Sequence, residues 1–341
     1  MTSPAYAVHS LVQGKWVAPD SSARPIESAV DGQIIANCGN NSLDLAGMRA
    51  YARDVGGPAL RALSFHDRAR MVKAVATYLN ERRDHLYDLS FNTGATLSDH
   101  KIDVDGGIGT MFVFASKARR EMPDAKIWRE GVPEQLGREG QFWGQHVLTS
   151  RPGVAVHINA FNFPVWGMLE KLAPTLLAGM PAIVKLATAT SYVTEACVRM
   201  IMESGLLPDG ALQLVSGSVS GLLDVLDCQD VLTFTGSAET AGLLRSNKNL
   251  LDNAVTFSAE QDSLNATLLG PDITEGTAGF DVFVKEVVRE MTVKAGQKCT
   301  AIRRIFVPQA QLDQTIAALS SRLGKVTIGN PRNPDVRMGA L

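Results

Sequence analysis

The chain has 341 residues, of which 45% are hydrophobic and 20% charged, with a net charge of -2. That balance gives no overall pull toward nucleic acid or an anionic membrane, and no apolar run reaches the roughly 18 residues of a membrane span. The opening Met1-Thr2-Ser3-Pro4-Ala5-Tyr6 lacks the charged and apolar regions of a secretory signal, so a cytoplasmic protein is expected. A chain of this length usually divides into about two domains. Cys38, Cys197, Cys228 and Cys299 share no metal-ligand spacing and are too sparse for a disulfide framework, so reduced thiols and no metal are expected.

Residues 7–37 read as strand-rich, with Leu11-Val12 and Lys15-Trp16-Val17 around Gln13-Gly14, then Ile34-Ile35-Ala36 after a turn at Asp31-Gly32. Residues 43–120 read as helical; Ala69, Met71, Val72, Val75, Ala76 and Leu79 repeat on one face. Residues 121–140 are polar and read as irregular, and residues 141–150 as a short strand.

From residue 153 the pattern becomes regular. Strands at Val154–Ile158, Ala182–Lys185, Leu212–Val215 and Val231–Phe234 alternate with helices near 168–177, 193–203, 219–226 and 238–245. Such alternation predicts βαβ units and a parallel sheet, which places ligands beyond the carboxyl ends of its strands. Residues 255–269 read as a strand pair carrying Glu260. Phe280, Phe283, Val284, Val287, Val288 and Met291 mark an amphipathic helix, with Gly296 as its stop. Leu312, Ile316, Leu319 and Leu323 mark a final helix.

The residues that follow these elements carry the candidate chemistry. Cys299 stands at a helix-to-loop junction beside Lys298; an exposed thiol near positive charge ionises more readily and is a better nucleophile. The plain alternative is a buried small hydrophobe. Asn162, between Phe161 and Phe163, could donate to an oxyanion or simply form a turn before Pro164. Lys185 at a strand end could meet a ribose or phosphate, or be a surface lysine. Gly236-Ser237 could open a helix toward phosphate, or Ser237 could be an ordinary N-cap. Glu260, if partly desolvated, could act as a general base, or it is a strand-edge carboxylate with Asp262 as competitor.

Phe161-Asn162-Phe163-Pro164, Lys185, Phe234-Thr235-Gly236-Ser237, Glu260 and Gly296-Gln297-Lys298-Cys299 stand in the order and approximate spacing of the aldehyde dehydrogenase superfamily, which the chain resembles over essentially its whole length. Ile158-Asn159-Ala160, Asp262-Ser263-Leu264-Asn265 and Thr300-Ala301-Ile302-Arg303-Arg304 are similar to the branch that oxidises the aldehyde end of CoA-linked ring-cleavage products, in phenylacetate degradation and, less closely around Trp166-Gly167-Met168-Leu169, in the benzoyl-CoA box pathway.

The resemblance implies an α/β aldehyde dehydrogenase fold. Its Rossmann-like cofactor domain would take residues 1–138 and 152–260, a bridging, oligomer-forming strand 139–151, and an incomplete catalytic domain 261–341. It implies Cys299 as nucleophile, Asn162 and the Cys299 N–H as oxyanion donors, and Glu260 as the base that activates water. Lys185, Thr188, Gly236, Ser237, Ala160, Phe161 and Gly217 would hold the dinucleotide. NAD-preferring relatives often carry a glutamate where Thr188 stands, so NADP is the expected cofactor, with NAD as the alternative. The expected partner is a small CoA-linked aldehyde, and the parent protein is expected to be a homo-oligomer. Leu186 replaces the branch's usual proline, and Gln261 replaces a small residue. Family members continue past residue 341, so the chain is expected to be a fragment. The competing readings are a CoA-acylating dehydrogenase, which generally lacks the glutamate, and a non-catalytic nucleotide-binding fragment.

Overall fold

A computed structural model describes residues 5–340. Residues 1–4, part of the segment read for a signal, lie outside the described residues. Five short strands come first: β1 (Tyr6–Val8), β2 (Ser10–Val12), β3 (Lys15–Val17), β4 (Arg24–Glu27) and β5 (Ile34–Cys38). β5 lies between β1 and β4 in a small sheet. β2 and β3 form a hairpin across Gln13 and Gly14, whose φ values of 49° and 78° suit a tight primed turn.

The helices expected over 43–120 form, the longest being Phe65–Glu81 and Leu97–Glu121. Both begin with a capping box, Ser64 with Asp67 and Thr96 with Asp99, which satisfies two otherwise orphaned N–H groups at each start. The region expected to be irregular differs. β6 (Trp128–Gln135) pairs antiparallel with β7 (Trp143–Leu148) in a two-stranded ribbon. Nearly every residue of the ribbon is exposed, so no alternation of apolar and polar residues marks it as strand; cross-strand hydrogen bonds hold it instead.

The central sheet then builds from β8 (Ala155–Ile158), β9 (Ala182–Lys185), β10 (Leu212–Val215), β11 (Val231–Gly236) and β12 (Thr256–Gln261). Its order is β12-β11-β8-β9-β10-β2-β3, with β8 to β12 all parallel and the hairpin added antiparallel at Leu11 and Leu214. Successive residues feed opposite faces. Ala182 and Val184 join the larger apolar core with Val72, Met111, Leu172 and Ile201, while Ile183 joins a second core with Val156, Leu222 and Leu232. Burial on both faces is why these strands read as continuous apolar runs. The sheet grows from β8 through β9 to β10, then restarts on the other side with β11. The order therefore reverses between β8 and β11, and a crevice opens at their carboxyl ends.

The strand pair expected over 255–269 does not form. Asp262, at φ 45°, turns the chain out of the sheet, and β13 (Asn265–Leu268) instead pairs parallel with β14 (Ile302–Phe306). The helix Ala278–Thr292 connects them, and Phe280 and Val284 pack on Leu269, Val307 and Leu319 in a third, smaller core. That helix ends four residues before the glycine taken as its stop. Lys294 and Ala295 both adopt φ 51° ahead of Gly296 at φ 73°, a run of left-handed residues that no α-helix accommodates. Among the described residues, no helix is long and apolar enough to cross a membrane.

Candidate active site

The left-handed run delivers Cys299 as an exposed residue on a tightly held loop. Four carbonyls of that loop accept side-chain hydrogen bonds from elsewhere. Arg303 Nη2 donates to Gly296 O at 2.9 Å, and Asn162 Nδ2 donates to Gln297 O at 3.1 Å. Ser263 Oγ and Asn265 Nδ2 both donate to Cys299 O, and Asn265 Nδ2 also donates to Ala301 O at 3.2 Å. The roles of Ser263, Asn265 and Arg303 were not read from the sequence. They stood there only as part of a resemblance, because the signal that assigns them is spatial: Ser263 and Asn265 meet carbonyls some 35 positions away, and Arg303 folds back across a turn to one seven positions before it.

Asn162, Glu260 and Cys299 come together. They line one cavity of about 420 Å³ with Ala160, Phe163, Trp166, Gly167, Glu170, Thr235 and Thr300. Each arrives on a different element: Asn162 on the loop after β8, Glu260 on β12 and Cys299 on the loop after Ala278–Thr292. Thr235 is the register partner of Glu260 across β11 and β12. Glu260 is exposed to the cleft, not desolvated as its apolar neighbours in sequence suggested, because β12 is the edge strand of the sheet.

The environment of the thiol reverses the expectation drawn from Lys298. That lysine turns away and pairs with Glu290 on the preceding helix at 2.6 Å, both side chains being largely withdrawn from solvent. Cys299 faces Glu260 instead. Burial first, and then the Glu260 charge, push its thiol above the ordinary value, and only its own backbone N–H pulls it down. A thiol of this kind is mostly protonated at neutral pH, so attack needs a neighbour that takes its proton. Glu260 is the carboxylate in position to do so.

The residues expected to hold a dinucleotide lie around the crevice between β8 and β11. Ala160 lines the cavity that holds Cys299 and Glu260. Phe161 is 48% exposed, and its carbonyl accepts from Thr190 Oγ1 at 3.0 Å. Lys185 closes β9 level with Ile158, partly buried, with Cys38 as its neighbouring ionisable group. Thr188 begins a 3-10 turn and is exposed. Gly236 ends β11, and Ser237 caps the helix Ala238–Arg245 by accepting from Thr240 N at 3.2 Å. Asp262 accepts from Ala238 N at 3.1 Å, so one N–H of that helix start already has a carboxylate partner. Gly217, after β10, packs against Asn40, whose carbonyl would lie 2.1 Å from an added Cβ. Close packing there is enough to require a glycine.

Two buried polar groups test whether this crevice suits a ligand. Among the described residues, the Asn159 side-chain amide at the end of β8 and the Thr235 hydroxyl on β11 find no hydrogen-bond partner. Such groups normally find one, and these two stand on either side of the reversal. A polar ligand with donors and acceptors, such as a nicotinamide dinucleotide, fits the vacancy in their bonding.

The sequence matches the family model described as "Aldehyde dehydrogenase family" over residues 16–341. The chain belongs to the aldehyde dehydrogenase family. Over 334 residues it is 42% identical to the 3,4-dehydroadipyl-CoA semialdehyde dehydrogenase of Aromatoleum evansii, covering 97% of this chain and 64% of that protein. It is 28% identical to the N-succinylglutamate 5-semialdehyde dehydrogenase of Chromobacterium violaceum, covering 94% and 63%. The chain thus spans just under two thirds of the length of these relatives. In fold it is similar to the lactaldehyde dehydrogenase of Escherichia coli, with a TM-score of 0.84 at 20% identity over 98% of this chain and 68% of that one. The aldehyde dehydrogenase fold expected from the motifs is the fold observed.

Proposed function

We propose that this chain carries the nucleophile and cofactor crevice of an NADP-dependent dehydrogenase that oxidises a CoA-linked semialdehyde from aromatic ring cleavage, in phenylacetate degradation, to the acid. The convergence of Cys299, Asn162 and Glu260 in one cleft at the sheet's reversal point carries the reading. The name of the 42% identical relative supports the substrate class.

In this mechanism Glu260 takes the Cys299 proton as sulfur attacks the aldehyde carbon, giving a thiohemiacetal. The Asn162 amide and the Cys299 N–H stabilise the oxygen as it gains charge. A nicotinamide dinucleotide, when bound, supplies the hydride acceptor that converts this adduct to a thioester. Glu260 gives the thiol's proton up to solvent and, again a carboxylate, takes a proton from water; the resulting hydroxide adds to the thioester carbonyl, and the acid leaves as the Cys299 thiolate is restored and reprotonated by Glu260. The presence of a carboxylate beside the thiol favours water over CoA as the final acceptor.

Lys185, Thr188, Gly236 and Ser237 would hold the adenosine ribose and phosphates. With threonine at 188, no carboxylate at that position repels a 2′-phosphate, and Lys185 is available to pair with it. Steady-state assays with the CoA-linked semialdehyde should therefore show lower KM for NADP than for NAD. Thr188→Glu should raise the NADP KM by roughly tenfold, about 1.4 kcal/mol, with little change for NAD. A wild-type preference for NAD would refute the cofactor assignment.

The exposed apolar residues of the β6–β7 ribbon, among them Val132, Phe142, Trp143 and Val147, support the homo-oligomer reading. Light scattering should give a dimer or larger species; a monomer at assay concentration would count against it.

A further inference from the structure

Beneath the Cys299 loop lies a lysine that the mechanism above does not use. Lys294 is only 7% exposed, yet its backbone sits at φ 51°, where long side chains rarely reside. Its N–H donates to Asp99 Oδ1 at 2.9 Å. Its ammonium lies 4.7 Å from the centre of the Phe163 ring, a cation–π contact with the residue next to Asn162. It faces Asp103 as well as Asp99, both buried on the helix Leu97–Glu121. Asp103 in turn accepts from Val165 N at 3.3 Å and Trp166 N at 2.8 Å, and so holds the far end of the Asn162 loop. A cavity of about 190 Å³ adjoins these groups, and Asn162, Gln297, Asp103 and Lys294 all line it.

We propose that Lys294 is a positioning residue: with Asp99, Asp103 and Phe163 it clamps the Asn162 loop to the Cys299 loop and sets the separation of oxyanion donor and nucleophile. The inference rests on the assignment of Asn162 and Cys299 made above. Among the described residues, the two loops otherwise share one hydrogen bond, from Asn162 Nδ2 to Gln297 O. One bond leaves the angle between them free; a second tie, through the Lys294 N–H to Asp99 and its ammonium against the Phe163 ring, restricts it. Burial lowers the Lys294 ammonium's pKa and raises that of the Asp103 carboxyl, and the charge on each opposes the shift of the other. Removing either therefore disturbs the whole cluster. Methionine at 294 keeps length and bulk while removing the charge.

The clamp is tested without cofactor, by the burst of p-nitrophenolate released when Cys299 is acylated by p-nitrophenyl acetate. The thiolate adds to the ester carbonyl through an oxyanion, p-nitrophenolate departs, and an acetyl thioester remains. Lys294→Met should slow the burst by roughly tenfold or more, since small misplacements of reacting groups are costly. In an Asn162→Ala background the same substitution should change the rate by less than about twofold, because its effect acts through Asn162. If Lys294→Met slows the burst equally in both backgrounds, or in neither, the proposal is overturned. If Asn162→Ala alone leaves the burst unchanged, the oxyanion assignment fails first. Asp103→Asn, which retains an acceptor for Val165 and Trp166, gives the same cycle if Lys294→Met does not fold.

Discussion

On the proposed function, Cys299→Ala should abolish aldehyde-dependent reduction of NADP, lowering kcat by roughly 10⁴-fold or more, while the dinucleotide binds as before. The substitution removes only the sulfur. The groups that shape the loop act on its backbone: Arg303 on Gly296 O, Asn162 on Gln297 O, Ser263 and Asn265 on Cys299 O. All of these survive in the alanine variant. Cys299 is exposed, so no core cavity is created. The residues assigned to the dinucleotide lie at or just after the carboxyl ends of β8, β9, β10 and β11, outside the altered loop. Parallel measurements of turnover and of NADP binding by equilibrium dialysis decide the matter. Retained turnover would remove Cys299 from the mechanism; loss of both activities would show that the loop shapes the cofactor crevice.

Glu260→Gln produces two changes of opposite sense. The neutral amide no longer raises the neighbouring thiol, so the pH profile of Cys299 alkylation by iodoacetamide moves to lower pH and the reaction at neutral pH quickens. Turnover nevertheless falls, by roughly 10²- to 10⁴-fold, because the amide cannot take a proton from water. The thioester accumulates and is read as added mass on Cys299. A variant that turns over slowly with an unshifted alkylation profile would place Glu260 away from the thiol. One that shows the shift but no adduct would confine its role to the attack step.

The parallel sheet was legible because strands buried on both faces must be apolar at every position, as Ala182-Ile183-Val184 is. The ribbon at Trp128–Gln135 was not, since strands open to solvent on both faces carry no periodic pattern. The reading of 255–269 as a pair failed for a different reason. Two strands close in sequence ordinarily pair, but Asp262 diverts the second into another sheet, and only tertiary structure shows which. Cys299, Asn162 and Glu260 stood together in the sequence only through the family resemblance, and the structure brings them to one cavity. The electrostatics of Cys299 were not legible: Lys298 is its neighbour in sequence, but Glu290 claims that lysine, and the charge facing the thiol comes from β12. Adjacency in the chain gave the wrong sign for the thiol.

The two peptide planes on either side of Cys299 have a consequence for how its amides act. A trans peptide unit is a rigid plate with oxygen on one edge and hydrogen on the opposite one. The plate before Cys299 has its oxygen held by Ala301 N at 3.2 Å; the plate after it has its oxygen held by Ser263 and Asn265. Gripping each plate by the oxygen edge points its hydrogen the other way. The N–H groups of Cys299 and Thr300 are thus aimed from behind, by a backbone amide and two side chains that need never meet the substrate, before any charge appears for them to face.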